Sequence, residues 1–155
     1  MRLTILALGR ARPGPEKTLT EDYLQRLAPM GRGVGFGPAR LLELEARSGR
    51  REEESALLLE RAPSGAKLVA LDERGETPSS LDFARRLGRW RDGGAAEAAF
   101  LIGGADGHAE ILRERADWVV SLGRLTLPHM LARAVLAEQL YRAASILAGH
   151  PYHRE

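Results

Sequence analysis

Three observations in the 155-residue sequence predict an α/β fold with a mainly parallel sheet covered by helices on both faces. Short apolar runs alternate with helical patterns along the whole chain. Several of these runs stop at a glycine or an aspartate, as Leu8 does at Gly9, Leu71 at Asp72 and Ile102 at Gly103-Gly104. The length, with 44% hydrophobic and 28% charged residues, suits one soluble domain over 1–155 with a real core.

The first strand is predicted over 2–8, followed by a Pro/Gly loop through Pro15 and a helix over 18–28 with Leu19, Tyr23, Leu24 and Leu27 on one face. Gly31 to Gly37 reads as a flexible turn into a second strand over 39–45. A charged helix from Arg50 to Arg61 turns Leu57 and Leu58 inward, and Glu52, Glu53 and Glu54 in its first turn favour the helix dipole. Its arginines, Arg47, Arg50 and Arg51, read as a solvated helix start or as an RNA contact. Leu68 to Leu71 is a short buried-type strand, and Ser79 or Ser80 caps a helix reaching Trp90. Ala98 to Ile102 is the next strand, His108 to Arg115 a short helix, and Trp118 to Ser121 a fifth strand. The last helix runs from Pro128, at its first position, to Leu147, where Gly149 and Pro151 stop it.

Composition mainly excludes. The absence of cysteine removes disulfides, thiolate nucleophiles and thiolate metal sites. No apolar stretch approaches the roughly 20 residues of a membrane span, and the N-terminus lacks a signal-peptide pattern, so a cytoplasmic protein is expected. Of the 23 basic residues only Lys17 and Lys67 are lysines. That bias fits phosphate recognition by guanidinium forks, and a GC-rich genome produces it equally.

In parallel sheets ligands bind beyond the carboxyl ends of the strands. Three loops are therefore expected to meet: the one after Leu71-Asp72, the one opened by Gly103-Gly104, and Leu122 to Leu127. The glycine pair serves either a close backbone approach to a ligand or a plain strand-to-helix turn. The alternating glycines 31, 33, 35 and 37 precede a strand and do not form a dinucleotide fingerprint, and Gly9 to Gly14 lacks the Lys-Ser/Thr of a phosphate loop. His129, His150, His153 and Glu155 permit a metal-dependent hydrolase reading, but Pro151 breaks any helix that would aim the terminal pair together, and no metal is expected. His108, following a glycine at a helix start, reads as a surface histidine.

Leu71-Asp72, Ile102-Gly103-Gly104-x-x-Gly107, Ser121-Leu122, Leu125-Thr126-Leu127-Pro128-His129, the helix from Ala132 to Ala143 and the terminal His150-Pro151-Tyr152-His153-Arg154-Glu155 occur in series. Together they resemble the RlmH family of small SPOUT-class methyltransferases. The resemblance spans the whole chain and is strongest from Leu68 onward. It implies a Rossmann-like sheet whose C-terminal part, about 68–155, is threaded into a trefoil knot. It also implies S-adenosylmethionine as methyl donor, N3 of a pseudouridine in 23S rRNA of the assembled ribosome as acceptor, and a homodimer whose partner subunit helps complete the site. The alternative is a non-enzymatic RNA-binding or ribosome-assembly protein of the same fold.

Carried onto this chain, the family's cofactor contacts fall on Leu71, Gly103, Leu122, Gly123, Arg124, Leu125, Thr126 and Leu127. Gly123-Arg124, Ala105 and His108 depart from the residues common there. Methyl transfer to an imide nitrogen requires alignment and removal of one proton. The residues expected to act are His153 as base or proton relay, Arg154 as electrostatic or phosphate partner and Tyr152 as a platform for the base, with His129 and Arg133 as second candidates. Arg50, Arg51, Arg124 and Arg142 are candidate phosphate contacts. On the last helix, Leu131, Val135, Leu136, Leu140, Ala144 and Leu147 form a broad apolar surface, open either to burial within one subunit or to packing partly against a second.

Overall fold

Successive residues of a strand point to opposite faces, so apolar runs without alternation demand cover on both sides. The computed structural model, which describes residues 1–154, supplies it. Its elements are β1 (Arg2–Leu8), α1 (Pro15–Gly33), β2 (Ala39–Leu44), α2 (Arg51–Arg61), β3 (Lys67–Glu76), α3 (Ser80–Asp92), β4 (Glu97–Ile102), α4 (Glu110–Arg115), β5 (Trp118–Val120) and α5 (His129–Leu147). The strands form one sheet in the order β2-β1-β4-β3-β5, and every neighbouring pair is parallel. On one face Leu3, Ile5, Phe100 and Val120 pack with Leu27 of α1, Leu87 of α3, and Leu136 and Leu140 of α5. On the other, Leu6, Leu8, Ala99 and Leu101 meet Leu58 of α2 and Leu112 of α4. No helix among the described residues is long and apolar enough to cross a membrane.

Three elements differ from the expectation. Helix α1 is longer at both ends: Pro15 occupies its first turn, and the exposed Pro29 is tolerated inside it. Gly31 is thus helical and buried, not part of a flexible turn. A Cβ there would meet Phe36 at 3.2 Å, and the Phe36 amide donates to the Gly31 carbonyl at 2.8 Å. The chain then folds back so that Phe36 fills the core beneath the helix. Pro128 is the N-cap of α5 rather than its first helical residue, because its extended ψ leaves only its carbonyl to accept the first turn's bond from Ala132, at 2.9 Å.

The largest departure is β3. It pairs with β4 over Lys67 to Leu71, leaves the ladder with β5 after Leu71 and rejoins it at Glu76, opposite Val120. The intervening Asp72 to Gly75 form a bulge that turns side chains toward the end of the sheet. Gly75 makes the return possible, since a Cβ there would lie 2.6 Å from the Val119 and Val120 backbone. Ser79 caps α3, accepting from the Asp82 amide at 3.1 Å.

The apolar surface of α5 is mostly consumed within the protein. Leu136, Leu140 and Ala144 lie in the core. Leu131 and Val135 remain partly exposed on the outer side, in line with Glu138 and Arg142 at helical spacing.

Candidate active site

At the carboxyl end of the sheet the β3 bulge and the loops after β4 and β5 meet around a cavity of about 320 Å³. Leu71, the last β3 residue before the bulge, and Ile102 and Val120, the last residues of β4 and β5, line it, with the β3 bulge, the Gly103 to Gly107 turn and the segment from Ser121 to Leu127 as walls. His129 and Ala132 at the start of α5 close one side. Seven of the expected cofactor residues line this cavity: Leu71, Gly103, Leu122, Gly123, Leu125, Thr126 and Leu127. Arg124 is exposed and is not among the lining residues.

Glycine gives the cavity its shape. The Gly107 amide donates to the Gly104 carbonyl at 3.1 Å, and Gly107 has φ +71°, a conformation that glycine adopts without penalty. A Cβ on Gly103 would lie 3.1 Å from the Gly107 carbonyl oxygen and the His108 ring. One on Gly104 would come within 2.5 Å of the Glu54 carboxylate, which rises from α2 beneath the turn. Burial, reinforced by Asp106, pushes the Glu54 carboxyl above its usual range. Across the cavity the Ser121 hydroxyl donates to the Gly123 carbonyl at 2.7 Å and braces that loop.

His108 is not a surface residue. The turn at Gly107 sends its ring back under the loop, where it is 1% exposed, and its Nε2 lies 3.1 Å from the Leu101 carbonyl. Burial holds its pKa below that of an ordinary histidine. Arg113 donates to the His108 carbonyl at 2.6 Å and pairs with Asp72 at 3.6 Å, tying the turn to the β3 bulge.

His129 and Arg133 form a second buried group. The Arg133 side chain is 1% exposed and donates to His129 Nε2 at 2.9 Å, to Glu43 Oε1 at 2.7 Å, and to the carbonyls of Leu8 and Gly9 at 2.9 and 2.6 Å. Burial and the adjacent guanidinium lower the pKa of His129.

The terminal residues stand elsewhere. The Tyr152 hydroxyl donates to Glu138 at 3.0 Å, its ring packs edge-on against Tyr141 at 4.7 Å, and the Arg142 guanidinium lies over it at 4.8 Å. Arg142 also donates to Glu138 at 2.6 and 2.9 Å and faces His153 Nδ1 at 3.3 Å. Arg142 is therefore engaged on its own helix rather than free for phosphate. Burial, with the bonds to Tyr23 and Glu138, raises the Tyr152 pKa. Arg154 is exposed, and Glu155 lies outside the described residues. The 13 residues from His129 to Arg142 correspond to about 20 Å along the helix. Tyr152 and His153 are thus remote from the cavity and from His129, and no metal-holding group of three acidic or histidine side chains occurs among the described residues.

The arrangement agrees with comparison to known proteins. A family model described as "Predicted SPOUT methyltransferase" matches residues 1–153. The chain belongs to the SPOUT methyltransferase family. A protein named ribosomal RNA large subunit methyltransferase H from Roseobacter denitrificans is 57% identical over 155 residues, covering 99% of both chains. Proteins of the same name from Dinoroseobacter shibae and Paramagnetospirillum magneticum are 55% and 54% identical, again with 99% of each chain covered.

In this SPOUT chain several residues of the site escaped sequence reasoning. Glu43 and Glu54 come from β2 and α2, distant in sequence from the loops they brace, and carry no local signature. Tyr23 likewise reaches Tyr152 from α1, with the hydroxyls 3.4 Å apart. Glu138 also escaped it: the pair it makes with Arg142 at four-residue spacing takes up an arginine that was expected to face phosphate.

Proposed function

We propose that the protein transfers a methyl group from S-adenosylmethionine to N3 of a pseudouridine in 23S rRNA of the assembled ribosome, as a homodimer. The observation that carries this reading is the cavity at the ends of β3, β4 and β5, which gathers seven of the eight expected cofactor residues. Its chemistry fits the group. Leu71, Leu122 and Leu127 offer apolar surface for an adenine ring, and the glycine-rich turns expose backbone amides and carbonyls for polar edges. When bound, S-adenosylmethionine supplies an activated methyl group.

The chain's own residues must then place the acceptor and handle the proton that N3 loses. Tyr152, His153 and Arg154 are the expected acceptor-side groups, and in one protomer they lie at the far end of α5 from the cavity. A second protomer docked along the outer stripe of α5, through Leu131 and Val135, brings its tail to the first protomer's cavity. The site is then shared between subunits, as isologous contacts allow. A trefoil knot over about 68–155 belongs to the same reading.

His153 has two roles open to it, and the geometry separates them. Arg142 faces Nδ1 and can only donate, so the neutral ring carries its proton on Nε2 and presents a donor to an acceptor carbonyl. A base role at Nδ1 requires Arg142 to move away. Arg154 and other exposed arginines, including Arg50, Arg51 and Arg124, supply positive charge toward phosphate.

The test is incubation of the purified protein with methyl-labelled S-adenosylmethionine and, separately, whole ribosomes, large subunits and naked rRNA. Label at pseudouridine N3, strongest on whole ribosomes, is the expected result. Cofactor binding without transfer to any of these RNAs overturns it in favour of a non-enzymatic RNA-binding protein of the same fold.

A further inference from the structure

We infer that Glu138 is a positioning residue that pins the C-terminal tail to α5, holding Tyr152 directly and His153 through Arg142. This rests on the shared-site reading given above, in which the tail serves a partner's cavity. Chain ends fray unless something ties them down. Here one carboxylate oxygen, Glu138 Oε1, accepts from the Tyr152 hydroxyl at 3.0 Å and from Arg142 Nη2 and Nε at 2.6 and 2.9 Å. The other terminal nitrogen of the same guanidinium, Nη1, faces His153 Nδ1 at 3.3 Å. Two successive tail residues are thus referred to a single carboxylate.

An exposed ion pair four residues apart on a helix contributes little and holds nothing else. This pair differs. The Glu138 side chain is only 17% exposed. Its second oxygen accepts from Gln139 at 2.7 Å, and the Gln139 side-chain oxygen accepts from the Ser80 hydroxyl at the start of α3, also at 2.7 Å. The carboxylate is therefore held from the side opposite the tail as well. Proton accounting gives Tyr152 the matching role. Its one hydroxyl proton goes to Glu138, so in the 3.4 Å contact with Tyr23 it is the Tyr23 hydroxyl that donates. Burial raises the phenol pKa, and the group stays a donor rather than a base. Arg142 covers its ring and Tyr141 packs edge-on against it. With hydroxyl and ring both engaged, Tyr152 anchors the tail, and His153 and Arg154 are the groups left to meet the acceptor.

A double-mutant cycle separates anchoring from direct action on the acceptor. Single-turnover transfer to ribosomes at saturating S-adenosylmethionine is expected to fall about tenfold in Tyr152→Phe, the scale of one hydrogen bond to a charged group, and about thirtyfold in Glu138→Ala, which also frees Arg142. The combined variant should match Glu138→Ala within about threefold, because its second change breaks a bond already lost. Hydrogen exchange, which needs no activity, should quicken at the Tyr152 to Arg154 amides in all three variants and stay unchanged in β1 and β4. Calorimetry should give an unchanged Kd for S-adenosylmethionine, since the clamp is remote from the cavity. Losses that multiply to about three-hundredfold in the combined variant, tail amides that exchange at the unaltered rate, or a weakened Kd overturn the proposal. Absence of transfer by the unaltered protein overturns instead the reading on which it rests.

Discussion

The two ends of the sheet bury charge in opposite ways. At the amino end Glu97, 2% exposed on β4, accepts from Thr4 at 2.5 Å and Arg2 at 3.1 Å and pairs with Arg40 at 3.5 Å. Both of its carboxylate oxygens are partnered by side chains of β1 and β2. At the carboxyl end Arg133 is equally buried, but its partners belong to loops and a helix start, and close by are two buried atoms, Glu54 Oε2 and His108 Nδ1, with no protein partner among the described residues. A saturated charge fixes the register of a sheet. An incompletely saturated one beside glycine-rich loops marks where the protein is built to receive something else.

This contrast is broken most severely by changes that touch chemistry at the carboxyl end. His153→Ala is expected to lower methyl transfer by about a hundredfold or more with cofactor Kd unchanged, measured by single-turnover labelling. His153→Gln, which retains a donor, keeps more activity than Ala if the ring acts as a donor; equal losses in both assign it as the base. Gly75→Ala forces a Cβ against the β5 backbone and is expected to cost about 1–3 kcal/mol in denaturant unfolding while weakening cofactor binding, because the β3 bulge forms a cavity wall. Glu97→Gln should cost a similar or smaller 1–3 kcal/mol, roughly the penalty for a disturbed buried hydrogen-bond network, and leave cofactor Kd unchanged. Weakened binding in that variant would show that the two ends are not independent.

Acid separates the ends more gently. Burial alone raises the Glu97 pKa, but the bonds from Thr4 and Arg2 and the charges of Arg2 and Arg40 outweigh it, and the net value is lowered. Its stabilisation is present above the unfolded carboxylate value, about 4.3, and is lost as pH falls through the lower folded value. His108 and His129 are also lowered, chiefly by burial, from a reference near 6.5. Their neutral-form stabilisation is complete above about pH 6.5 and declines as pH falls below it. Hydrogen exchange over a falling pH series should therefore show loosening at Gly103 to His108 before any at Thr4 or Glu97. The reverse order would contradict the contrast.

Much of this was legible in the sequence. The alternation of apolar runs and helices gave five strands in the right places, because a strand buried on both faces has no other composition available. The three strand-end loops were legible because a parallel sheet puts its ligand site at one edge. What escaped was set by distant contacts. His108 looked solvent-facing because the turn that buries it depends on Gly107 adopting a positive φ. The bulge after Leu71 depends on the close approach of Gly75 to β5, which no local pattern encodes. The sequence left the Leu136, Leu140 and Ala144 surface of α5 open between core and partner, and it is core, since apolar spacing does not say which neighbour covers it.

The central claim is that the cavity of one protomer works with the tail of another. Gly103→Val, which crowds the cavity, and His153→Ala, which disables the tail, should each abolish most transfer alone. Mixed in equal amounts under conditions that exchange subunits, they form dimers of which half are mixed, each with one intact composite site, and activity should return to about a quarter of that of the unaltered protein. No recovery in the mixture, with subunit exchange confirmed by mass, would contradict a shared site.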